Sequence, residues 1–157
     1  MDKDGTFSTK GQVVHFGYKD HIKVDVEHHL IRKIETTTAK DHDNTVDLFD
    51  KKDKVGYRDK GYFGTSLPKG VVDKTMQRAV RGHKLNGGQQ KRNLSISRIR
   101  SAVERPFGVI KRVFHGERTY VKTLERVSIK EMFKAFAYNL YYLFTLERKR
   151  LANAIDG

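Results

Sequence analysis

One feature constrains this chain above all: its apolar residues change period partway along. From Val14 to Val26, residues Val14, Phe16, Tyr18, Ile22, Val24 and Val26 share one parity, with mostly polar residues on the other. A period of two places alternate side chains on one face of a strand. From Ile96 the period is helical: Ile96, Ile99, Val103, Phe107, Ile110 and Phe114 follow at steps of 3, 4, 4, 3 and 4. A second helical stripe comprises Ile129, Met132, Phe133, Phe136, Leu140, Leu143 and Phe144. Ser128 and Glu131 stand before it in capping-box spacing, and that stripe is the expected buried face. Strands first and helices late predict a mixed α/β domain of the α+β kind.

The segments between are shorter. "LIRKIETTT" (30–38) reads as the returning strand of a hairpin, and Asp43 as the N-cap of a short helix over "NTVDLFD". "KVGYR" (54–58) is a further strand with Asp59 at its C-terminal end. A helix is expected after Pro68, and "RGHKLNGGQQKRN" (81–93) reads as a mobile, basic, glycine-rich loop. At 157 residues the chain suits a single domain with a real core. Its expected parts are a hairpin and strands at about 12–60, a basic linker at about 65–93, a Glu-bearing helix at about 95–114 and a C-terminal helix at about 128–149.

Composition excludes several classes. There are no cysteines, hence no disulfide framework and no thiolate metal site. No apolar run approaches the roughly 18 residues that span a bilayer, and the N-terminus lacks the apolar core of a signal peptide; a cytoplasmic protein without a membrane partner is expected. Charge is unevenly spread. Residues 1–68 balance 12 Lys/Arg with 12 acids, whereas residues 69–122 hold 14 Lys/Arg against 3 acids, a net of +11. Such a localised block suits a phosphate backbone, because each cation that contacts a phosphate releases a counterion. Gly87-Gly88 lacks the Lys-Ser/Thr of a phosphate-cradling P-loop, and neither His28-His29 nor Asp41-His42-Asp43 has convincing metal-ligand spacing.

Two acids stand apart. Asp59 before Lys60-Gly61 is ordinary turn chemistry, or a carboxylate presented from a strand end. Glu104 is the single acid between Asp73 and Glu117, on a polar stripe with Arg100, Gly108 and Lys111 beside the apolar one. It either pairs with Arg100 one turn back or ligates a cation. Gly108 costs about 1 kcal/mol against Ala inside a helix and suggests close approach beside the carboxylate. Mg²⁺ or Mn²⁺ takes oxygen ligands, and a pair of such ions serves phosphodiester chemistry. Two carboxylates are too few to hold such a pair, so a third acid is needed.

The stretches "FGYKDHIKVD" (16–25), "TTAKDHDN" (37–44), "YRDKGYFG" (57–64) and "RSAVERPFGVIKRVF" (100–114), in this order, resemble the DDE transposases of prokaryotic insertion sequences. The resemblance covers most of residues 10–145. It implies a ribonuclease-H-like catalytic core and an enzyme that cuts transposon-end DNA and joins it to target DNA with three acids and Mg²⁺ or Mn²⁺. Asp59 resembles the second catalytic Asp and Glu104 the catalytic Glu, both metal ligands. Arg100 and Lys111 occupy signature positions, while Ser97 stands where the family often has Tyr. Lys91, Arg92, Arg98, Arg105 and Arg112 join Arg100 and Lys111 as expected DNA contacts. The family's first Asp belongs to a strand upstream of "FGYKDH", so the resemblance implies an incomplete core lacking its first strand, the C-terminal part of a transposase with reduced or no activity alone. Asp2 and Asp4 are poor substitutes for that Asp. Expected partners are DNA and a second copy or full-length transposase, in a nucleoid-associated setting of a prokaryotic cell; the alternative is a non-catalytic DNA-binding regulator of transposition.

Overall fold

The computed structural model describes residues 2–116 and 118–155. Strands β1 (Thr6–Lys10), β2 (Val13–Val24) and β3 (Ile31–Thr38) form an antiparallel sheet in the order β1-β2-β3. Strands β4 (Val55–Arg58) and β5 (Val72–Thr75) form a separate parallel pair, and helices α1 (Gly87–Arg112) and α2 (Leu124–Ile155) follow. The mixed α/β class and the late helices are as the periods predict.

Strand β2 serves two partners in turn. Val13 to Gly17 pair with β1 across a two-residue turn at Gly11-Gln12, where Gly11 has φ +63°. Tyr18 to Val24 pair with β3, from Tyr18 against Thr38 to Val24 against Ile31. The hairpin turn is held by Asp25, whose Oδ1 accepts from the Glu27 and His28 amides at 2.9 and 2.7 Å.

Helix α1 starts at Gly87, not near 95, and absorbs part of the expected mobile loop. Asn86 and Gln89 form a capping box: Asn86 Oδ1 accepts from the Gln89 amide at 2.8 Å and Gln89 Oε1 from the Asn86 amide at 3.0 Å. Two reciprocal bonds satisfy donors that would otherwise be orphaned. Pro106 lies buried inside this helix, which continues through it to Arg112.

The expected helix after Pro68 is instead the extended strand β5, paired in parallel with β4 from Val55–Val72 to Arg58–Thr75. Asp43 does not cap a helix: it lies inside a 3₁₀ turn, Asp43–Thr45, that follows His42. Ser128 and Glu131 form no cap either, because α2 already begins at Leu124.

Helix α2 departs furthest from expectation. It packs on β3 through Ala135, Tyr138 and Tyr142, which join Ile31 in the core, with Ile22, Ile34 and Val109 alongside. Asn139 docks it to the sheet, accepting from the Ile31 amide and donating to the Ile31 carbonyl, both at 2.8 Å. Tyr138 is fully buried and donates to the His29 carbonyl at 2.8 Å. The stripe expected to be buried, from Ile129 to Phe144, points away: Phe133, Phe136 and Phe144 are 64, 65 and 66% exposed. Burial selects the face with aromatic hydroxyls and an amide because these reach backbone groups at the end of the hairpin, which a phenylalanine face cannot do.

Candidate active site

Strand β4 ends at a residue that the sequence did not single out. Arg58 is only 7% exposed, and its guanidinium bonds the Thr75 hydroxyl (2.8 Å), the Thr65 hydroxyl (2.9 Å), the Thr65 carbonyl (2.8 Å) and Asp73 (3.1 Å). It thereby fastens β4 to β5 and to the loop that follows. Five donors in a rigid fork make arginine suited to such a junction. Its signal in sequence is weak, since its acidic partner lies 15 residues away. Two residues earlier, Gly56 is buried, and a Cβ there would stand 2.6 Å from Leu67 Cδ1 and 2.9 Å from Phe49 Cε1. A larger residue there would force Leu67 and Phe49 to shift.

Asp59 follows, held on both sides. One oxygen accepts from the Lys60 amide at 2.6 Å, capping the 3₁₀ turn Lys60–Tyr62. The other lies 3.6 Å from a terminal nitrogen of Arg100 on α1. Arg100 thus pairs with Asp59 across two elements, not with Glu104 on its own helix. Glu104 is exposed one turn beyond Arg100, about 6 Å along the axis, on the same helix face. Asp59 thus meets α1 at Arg100, one turn before Glu104. The space beside Gly108 is not open: the Arg112 guanidinium lies 3.3 Å from where its Cβ would be and donates to the Gly108 carbonyl.

Beside Asp59 opens a cleft of about 850 Å³, lined by Tyr18 to Val24 of β2, by Tyr57 to Asp59 and by Arg100, Val103 and Phe107 of α1. Its two strand walls share one property. Among the described residues β4 pairs only with β5, and the 18–24 half of β2 only with β3, so each strand has a hydrogen-bonding edge that no described strand covers. Asp20, on the β2 wall, is buried enough that its carboxyl is pushed up to about 6, first by desolvation and then by the nearby Glu131.

The donors described do not complete a divalent-metal site. Among the described residues no cluster of three His, Asp or Glu side chains could hold a metal ion. Asp59 and Glu104 are two hard oxygen donors, short of the set that Mg²⁺ or Mn²⁺ requires. Asp2 and Asp4 serve elsewhere, at the start of α2: Asp2 accepts from the Thr123 amide at 3.2 Å and Asp4 from the Leu124 amide at 2.9 Å.

The basic residues expected on DNA divide by role. Arg92 donates to the Thr75 carbonyl at 2.8 Å, and Arg105 donates to the Tyr142 hydroxyl and lies over its ring. These two hold α1 to β5 and α2. Lys91, Arg98 and Arg112 are exposed. With Arg105 they recur every seven residues, a step that drifts only about 20° around a helix and so forms one stripe. No helix among the described residues is long and apolar enough to cross a membrane.

Comparison with known proteins gives this geometry its lineage. Residues 2–140 match the Transposase DDE domain family. The chain is 31% identical over 148 residues to the transposase for insertion sequence element IS1106 of Neisseria meningitidis serogroup B, an alignment covering 88% of this chain and 51% of that protein. The chain therefore spans about half the length of that relative. No solved structure matches it. The match to that domain over nearly the whole chain, with the identity to this relative, places the protein in the DDE transposase family of insertion sequences.

Proposed function

We propose that this chain binds DNA through its basic stretch, residues 69–122, and contributes Asp59 and Glu104 to a metal-dependent centre for DNA cleavage and strand transfer. The observation that carries this reading is the Arg100–Asp59 ion pair, which sets the strand-end acid against the helix face bearing Glu104. Lys91, Arg98 and Arg112 contact the phosphate backbone from their stripe, joined by Lys111, while Arg92 and Arg105 hold the helix in place. DDE transposases use divalent metal; Mg²⁺ or Mn²⁺ is the ion proposed here. The ribonuclease-H-like arrangement is supported by the cleft, whose two free strand edges suit one further strand between β2 and β4 carrying the missing carboxylate.

The test is a pair of measurements on labelled duplex DNA. Arg98→Gln is expected to weaken binding regardless of base sequence and to reduce the slope of log K against log salt by about one. Any cleavage is expected to vanish in Glu104→Gln while binding persists; cleavage that survives excess chelator sinks the proposal. A second reading, a non-catalytic DNA-binding regulator of transposition, is favoured by the absence of a three-donor cluster among the described residues. It predicts binding without metal-dependent cleavage in the unaltered chain.

A further inference from the structure

The connection between the two helices presents a ring to solvent. Tyr120 is 87% exposed, the most exposed large apolar or aromatic side chain among the described residues. The run that carries it, residues 118–122, is neither helix nor strand, yet it is tied down at both ends. Before it, the Gly116 amide donates to the Ile110 carbonyl at 2.9 Å, and the Gly116 carbonyl accepts from Lys134 at 2.8 Å. Lys130 donates to the Arg118 carbonyl at 3.4 Å, the Thr119 hydroxyl is buried, and the Thr123 amide donates to Asp2 at 3.2 Å. A loop anchored on its inner side holds the ring outward.

The neighbours of the ring select its ligand. Arg118 and Lys122 stand two residues either side of Tyr120 and are exposed with it, whereas Thr119 is partly buried. Steps of two place residues on one side of an extended run. No acid lies between Arg118 and Leu124. The loop follows the end of α1, where Arg112 closes the exposed stripe of Lys91, Arg98 and Arg112. An apolar protein surface laid on the ring would strip water from both cations without pairing them. A nucleotide chain brings a phosphate to each cation and a flat base to the ring. That base must be unpaired, because stacking within a duplex covers both of its faces.

We propose that Tyr120 is a stacking platform for an unpaired DNA base, with Arg118 and Lys122 on the flanking phosphates. This rests on the reading that residues 69–122 bind DNA and adds a preference within it: a single-stranded segment is held here beyond what charge alone supplies.

Binding of the whole chain to an oligodeoxythymidine of about 20 nucleotides and to a duplex of equal length, at the same salt concentration, tests this. Tyr120→Ala is expected to weaken single-strand binding about fivefold or more, the equivalent of one stacked base, and to change duplex binding less than about twofold. Because the chain has no tryptophan, Tyr120→Trp adds a fluorophore at this position alone. It is expected to keep wild-type affinity, and its emission to be quenched several-fold more by the single strand than by the duplex. Arg118→Gln is expected to weaken both forms and to reduce the salt slope on the single strand by roughly 0.7, which separates charge from stacking. A Tyr120→Ala chain that keeps its single-strand affinity, an equal loss on both forms, or a Tyr120→Trp emission that the single strand leaves unquenched overturns the inference while leaving the duplex-binding reading intact. A wild-type chain that binds neither form overturns both.

Discussion

The two helices combine hydrogen bonds and burial in different proportions. Helix α1 begins with its own cap, Asn86 and Gln89, and is held at polar points: Arg92 to the Thr75 carbonyl, Asn93 to both backbone groups of Gln77, Arg105 to Tyr142. Helix α2 receives its amide partners from Asp2 and Asp4, about 120 residues away in sequence, and is held by burial against β3. A helix pinned by a few hydrogen bonds keeps a broad exposed face for cations. A helix docked by burial requires apolar residues, and α2 has more of them than its sheet can cover. The difference separates a surface suited to a polyanion from one suited to another protein.

The contrast is sharpest across α2 itself. Tyr138→Ala is expected to destabilise the fold by about 3–5 kcal/mol, because it empties a fully buried site and orphans the His29 carbonyl. Urea unfolding followed by circular dichroism measures this; a loss under about 1 kcal/mol would remove the distinction between the faces.

Next comes a pH effect beneath α2. The folded Asp20 carboxyl titrates at about 6 against an ordinary 3.8, so the folded state binds more protons than the unfolded state in that window. Its contribution therefore falls as pH rises from about 4 to about 6 and is fully unfavourable above that. Asp20→Asn is expected to gain on the wild type by an amount on the order of 2 kcal/mol between pH 4 and pH 7. A difference that does not vary with pH would place Asp20 in water rather than beside Glu131.

The caps differ more in locality than in size. Asn86→Ala and Asp4→Ala are each expected to cost about 1 kcal/mol in the intact chain. In isolated helix peptides only the α1 peptide should respond to its cap variant, since the acids that cap α2 lie outside its segment. Smallest is Phe136→Ala, on the bare face, expected to shift monomer stability by no more than about 0.5 kcal/mol. Measured at dilution, a larger loss would mean that this face is covered within the monomer.

Much was legible locally. The hairpin, the strand ending at Asp59, the helix bearing Glu104 and the concentration of charge in residues 69–122 all follow from period, turn chemistry and composition. The α1 cap was legible too: Asn86 followed three residues later by Gln89 is a capping signal within what otherwise reads as a basic loop. Strand β5 was harder, because "VVDKT" is too short for its period to separate strand from helix, and its pairing partner β4 lies across a loop. At the candidate site, sequence named Asp59 and Glu104 but not Arg58, whose importance comes from four contacts made beyond its own neighbourhood.

The sequence by itself determined the class of each long element and the candidate acids, because these depend on residues within a turn or two of one another, and the likeness to transposases, because that rests on the order of short stretches along the chain. Only the tertiary structure decided which of two apolar faces of α2 is buried, that Arg100 pairs with Asp59 rather than with Glu104, and that Asp2 and Asp4 cap a helix begun at Leu124. Periodicity reports that a face is apolar; which face is covered depends on the shape and hydrogen-bonding groups of whatever packs there, and those arrive from distant parts of the chain.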